Sequence, residues 1–112
     1  MFIIDVMRYD EAENVTSIIN MINDNQNIGW RRHWAHDFTR EEIIKGLRKL
    51  LEMKLVRPLT YNSVSGELID SNEAVDFSMN SEDLWFRITE LGWRMWEKWN
   101  PPEDGSAVDS IV

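Results

Sequence analysis

The stretch His33-Trp34-Ala35-His36-Asp37 holds both histidines of the chain beside a carboxylate. It is the one place where residue types suggest a metal. A zinc site needs three or four protein ligands. Two imidazoles three residues apart and one acid, with no partner marked out on another element, read instead as a solvated or capping group. No metal and no cofactor is expected. The absence of cysteine removes thiolate zinc sites, thiol nucleophiles and disulfides together. Neither a Gly-rich phosphate loop nor a Gly-x-Ser-x-Gly elbow occurs. Twenty carboxylates in 112 residues guarantee neighbours in sequence, so proximity alone marks no acid–base pair. No catalytic residue is assigned, no small-molecule substrate is evident, and the expected role is binding.

Two sets of side chains remain for that role. Residues 28–58 carry eight Lys and Arg against four Asp and Glu, whereas the rest of the chain carries four against sixteen. Arg31, Arg32, Lys45, Arg48 and Lys49 are the candidates for phosphate contacts. The second set is aromatic. Four of the six tryptophans, Trp85, Trp93, Trp96 and Trp99, fall in residues 84–99, LWFRITELGWRMWEKW. Trp is enriched where proteins dock on one another, so these four are the candidate partner-binding residues.

The elements that position them follow from periodicity. Residues 2–8 are apolar and rich in β-branched types and predict a short strand. From Asp10 the spacing turns helical, with Ala12, Val15, Ile18, Ile19 and Ile22 on one face. The polar run 23–27 and Gly29 end that helix, and residues 30–38 form a connection. Thr39 and Glu42 stand at capping-box spacing ahead of Ile43, Ile44, Leu47, Leu50, Leu51 and Leu55. Residues 55–61 predict a strand that Pro58 confines to an edge or a bulge. Residues 62–83 are polar and turn-rich. Leu84, Phe86 and Ile88 then alternate with Trp85, Arg87 and Thr89 as a strand with one core face, and Thr89 caps a last helix over 90–99. Asn100-Pro101-Pro102 stops it.

This order is that of a winged helix-turn-helix, and two stretches resemble that superfamily in detail. FTREEIIKGLRKLLEMKLVRP is similar to the second and third helices running into the first wing strand. Leu47, Leu50, Leu55 and Val56 match, and Lys54 stands where a Gly is common. Ile88, Thr89 and Gly92 resemble the Leu-Thr-x-x-Gly close of MarR- and PadR-like regulators. The resemblance implies an α+β fold, mainly helical with a small antiparallel sheet and a long wing. The resemblance covers about residues 10–99. A length of 112 residues is that of one domain, expected over residues 1–99, and 100–112 is expected to be a flexible tail.

A regulator's fold raises the question of DNA, and the charges oppose it. The exposed side of the helix after Thr39 carries Glu41, Glu42, Lys45, Arg48, Lys49 and Glu52, a net charge of zero, with Glu41 and Lys45 spaced for a surface pair. The wing 62–83 has six acidic residues and no Lys or Arg, which repels a phosphate backbone. DNA is therefore the alternative reading. On the last helix Leu91 and Met95 continue the core from Ile88, leaving Trp93, Trp96 and Trp99 on a surplus arc, with Trp85 on the other face of the adjoining strand. Either the N-terminal segment covers these indoles or they form an exposed interface. The expected function is that of a non-catalytic module binding a protein, either a second copy or a basic partner suited to the net charge of −8. No apolar run approaches the roughly 20 residues that span a bilayer. The opening MFIIDVMRY lacks the features of an export signal, so the cytoplasm is the expected location.

Overall fold

The computed structural model describes residues 1–24 and 37–100. Its elements in chain order are α1 (Phe2–Met7), β1 (Glu13–Asn14), α2 (Val15–Asp24), α3 (Arg40–Glu52), β2 (Val56–Asn62), β3 (Glu67–Asp70), a 3₁₀ turn (Ser81–Asp83), β4 (Trp85–Ile88) and α4 (Glu90–Lys98). Among the described residues the architecture is α+β, with four α-helices and one antiparallel sheet ordered β1-β4-β2-β3. No helix of the described residues is long and apolar enough to cross a membrane.

The first element corrects the sequence expectation. Residues 2–7 form a helix, not a strand, and every one of them except Asp5 is buried. A short run that is apolar on all sides has no period of its own, so helix and strand cannot be told apart within it. The second helix is corrected as well. It starts at Val15 rather than Asp10, because Glu13 and Asn14 pair with Phe86 and Trp85 of β4. Asn14 Oδ1 accepts the Ser17 amide at 2.8 Å and so caps the helix from the end of that strand.

The core is closed by α1, by Val15, Ile18 and Ile22 of α2, and by Ile43, Ile44, Leu47 and Leu50 of α3, all set against Val56, Phe86 and Ile88 on the inner sheet face. The α3 stripe is the one its periodicity predicts. Its start is the expected capping box, in which Thr39 accepts the Glu42 amide and its own amide donates to Glu42 Oε1. At the other end the amides of Lys54 and Leu55 donate to the carbonyls of Leu51 and Leu50, closing the helix with Lys54 in the left-handed region at φ 61°. Before α3, Asn23 bonds both the amide and the carbonyl of Phe38, which seats that ring in the core.

Strands β2 and β4 pair antiparallel, Val56 opposite Ile88 through Leu59 opposite Trp85, as the sequence predicts. Pro58 does not confine β2 to an edge, since β2 lies between β4 and β3. Its carbonyl turns away from β4 to accept the Ser71 amide, just where pairing with β3 ends, so the amide it lacks removes only the last bond toward β3 and none toward β4. The stretch read as wing divides in two. Residues 63–66 form a tight turn between β2 and β3: Asn62 Oδ1 accepts the amides of Val64 and Ser65, and Gly66 takes φ 72°. Residues 71–84 form a long loop back to β4. That loop is tied to α3 by Arg40, which donates to the carbonyls of Phe77 (2.8 Å) and Met79 (2.9 Å) and to Ser81 Oγ (2.8 Å).

Candidate partner-binding surface

The Trp-rich end is positioned from Thr89 outward. Its hydroxyl accepts the Gly92 amide at 3.0 Å, starting α4, and donates to the Lys54 carbonyl at 2.7 Å, while its amide reaches the Leu55 carbonyl at 3.0 Å. These bonds draw α4 down on the start of β2. A Cβ at residue 92 would lie 2.1 Å from the Leu55 carbonyl oxygen, so only glycine fits there.

That close approach decides which side of α4 faces inward, and it overturns one expectation. On a helical wheel Gly92, Trp96 and Trp99 lie within about 60° of one another. With Gly92 against β2, Trp96 and Trp99 turn toward the body of the protein. Leu91 and Met95 do not extend the core but are 46% and 42% exposed. Trp99 meets Phe2 of α1 edge-to-face at 5.1 Å. Trp96 donates its indole N–H to Asp5 Oδ1 at 3.0 Å, which accounts for the single acid in the apolar run of α1. Trp93 sits T-shaped against Trp96 at 5.9 Å. All three indoles are half-buried and packed on the core.

Trp93 stands about 100° round from Gly92 on that wheel, and it leads to the surface. Together with Arg8, Tyr9, Arg87 and Ile88 it lines an open groove. Tyr9 is 67% exposed. The Arg8 guanidinium lies over the rings of Tyr9 (4.2 Å) and Trp96 (5.2 Å), and its Nε donates to Asp5 at 3.2 Å. Arg87 is on the outer face of β4 and bonds both oxygens of Asp70, at 2.7 and 2.8 Å. This bidentate contact, with Arg57 adding its charge, holds the Asp70 carboxyl below its usual range and raises the pKa of Arg87. Trp85 is two residues along the same outer face and half-buried. The result is a run of Trp85, Arg87, Trp93, Tyr9 and Arg8 across one side of the molecule. Of the four indoles read from the sequence, Trp85 and Trp93 belong to this surface, and Trp96 and Trp99 support it from below. Nothing in the sequence marks Arg8, Tyr9 and Arg87, because single surface residues carry no period.

The alternative phosphate-contacting set is less complete. Arg31 and Arg32, like the histidine pair, lie outside the described residues. Lys45, Arg48 and Lys49 are exposed on α3, and none of them makes an ion pair among the described residues. The expected Glu41–Lys45 pair is not formed: four residues of spacing bring the side chains near, but closing an exposed contact gains little over hydration. Arg48 instead lies over the Phe77 ring at 4.9 Å, and Phe77 stacks on Phe86 at 6.1 Å. The acidic loop thus rests on the same helix as the cations.

Glu13 is the most perturbed acid. Burial above all, then a hydrogen bond with Asp10 and its charge, pushes the carboxyl up to about 7. Among the described residues no group of three or more His, Asp or Glu is placed to hold a metal. No protein-family model matches this chain, and no curated protein or solved structure matches it either.

Proposed function

We propose that the chain is a winged-helix domain that binds a protein and performs no catalysis. The order α1, β1, α2, α3, then β2 and β4 flanking a wing, supports the fold reading, with β3 a strand added inside the wing. The observation that carries the function is the surface of Trp85, Arg87, Trp93, Tyr9 and Arg8. Trp, Tyr and Arg are the residues that dominate binding energy at protein interfaces. Here the two arginines are already oriented by Asp5 and Asp70, so little side-chain freedom is lost on docking. The partner is a second copy of the chain or a basic protein.

Sedimentation of the full chain, alone and with a salt-titrated duplex, tests this. Self-association is expected to weaken at least tenfold in the variant Tyr9→Ser with Trp93→Ser, with the cooperative melt retained. DNA binding is expected to stay in the nonspecific range of about 10⁻⁴ to 10⁻⁶ M at physiological salt. The second reading, a DNA-binding regulator, is favoured by Lys45, Arg48 and Lys49, which make no ion pair among the described residues. A monomer that binds an operator at submicromolar concentration, and loses it on Lys45→Ala with Arg48→Ala, establishes that reading instead.

A further inference from the structure

Strand β2 outruns β4. Pairing with β4 ends at Leu59 opposite Trp85, while pairing with β3 continues to Asn62 opposite Glu67. Main-chain groups alternate sides along a strand. The Pro58 carbonyl points toward β3, where it accepts the Ser71 amide, so those of Leu59 and Tyr61 point toward β4. Leu59 has Trp85 there. Tyr61 has no main-chain partner on that side among the described residues.

The space beside it is a groove of about 370 Å³ between the end of β2 and the loop 71–84. Tyr61 and Met79, both exposed, and half-buried Trp85 supply its apolar lining. Glu73, Asp76 and Asp83 supply charge, and no Lys, Arg or His lines it. Asp76 is committed, accepting the amide and hydroxyl of Ser78. Glu73 and Asp83 make no ion pair among the described residues.

We propose that this groove takes up a basic, extended peptide segment of a protein partner. The segment adds a short rung to β2 at Tyr61 and places an Arg or Lys head between Glu73 and Asp83. Strand addition at an open edge provides main-chain bonds, and the pockets beside it select the side chains. The six acidic residues of 62–83, with no cation among them, repel a nucleic acid and draw a basic chain. The inference rests on the protein-binding reading; its groove is distinct from the one at Trp93 and shares only Trp85 with the surface described above.

The probe is the capped pentapeptide Val-Arg-Val-Arg-Val, with Val-Glu-Val-Glu-Val as control, titrated into the isotopically labelled full chain and followed by amide and indole NMR shifts. Shifts confined to residues 60–62, 71–79 and 83–85 are expected for the Arg peptide only. Raising salt from 50 to 500 mM should weaken it at least fivefold, and Glu73→Gln with Asp83→Asn at least tenfold, with an unchanged melt. If that variant fails to fold, Glu73→Gln alone carries the comparison and should weaken binding about threefold. Equal binding of the Glu peptide, shifts centred on Tyr9 and Trp93, or no binding at millimolar peptide overturns the proposal. Loss of the groove result with self-association through Trp93 intact sinks the groove alone and leaves the protein-binding reading standing.

Discussion

Glu13 lies on β1 opposite Phe86, only 6% exposed, and its Oε1 has no hydrogen-bond partner. Its carboxyl titrates near 7 in the folded protein against a usual value of 4.5. Between those values the unfolded chain gives up the proton that the folded chain keeps, so stability falls as pH rises through the window and levels off above it. The full effect is up to about 3 kcal/mol. Glu13→Gln should match the wild type in urea unfolding at pH 4, be more stable at pH 8, and remove that part of the slope. A wild-type slope retained by the variant would assign it to other acids. Nothing in the sequence marks Glu13, because Asp10, Glu11 and Glu13 look alike until β1 carries the third of them inward. Lys54 was legible in part: the resemblance puts a Gly there, and the structure shows why, with φ at 61°. A lysine in that region is strained, so Lys54→Gly should raise stability by about 0.5–1 kcal/mol in the same unfolding measurement. The Leu51 and Thr89 contacts use only the backbone of this residue and should persist.

At the scale of elements, α3 was readable nearly residue by residue, since its cap, its stripe and its end all lie within one local pattern. The helix α4 was readable in extent but not in orientation. Leu91 and Met95 are better apolar residues than Trp at matching positions, yet Gly92 brings the opposite flank against β2, and backbone contact outweighs side-chain type. The loop 71–84 was seen as acidic and turn-rich, but not as tied down, because its anchor is Arg40, some forty residues earlier in the chain. A planar guanidinium can reach two carbonyls and a hydroxyl at once, and a lysine ammonium cannot match that geometry. Arg40→Ala should therefore cost about 1–3 kcal/mol and speed amide exchange across 77–83, leaving α3 protected. Arg40→Lys should not restore slow exchange. Unchanged exchange in Arg40→Ala would mean that Phe77, stacked on Phe86, holds the loop alone.

For the molecule as a whole, the burial pattern was legible wherever apolar residues recur at a fixed spacing, and the joins between elements were not. The strand β1 and the hairpin partner β3 are two and four residues long, too short for any period to show, yet they set the sheet's two edges. The charge separation read from the sequence keeps its meaning in part: the exposed cations of α3 and the acidic loop adjoin where Arg48 lies over Phe77. The ties along residues 62–84 also say where foreign sequence can be spliced in. The long acidic loop is the obvious opening by length, yet each half of it is clamped, through Arg40 to α3 and through Phe77 to the sheet. The tight turn at 63–66 looks closed, but Val64 at its tip is 95% exposed. The strands beneath it are clasped from the side, with Arg57 and Arg87 both gripping Asp70. An epitope or a whole fluorescent domain grafted between Val64 and Ser65 would give up two bonds to Asn62 and leave the rest of the hairpin zipped, with its cargo held out in water.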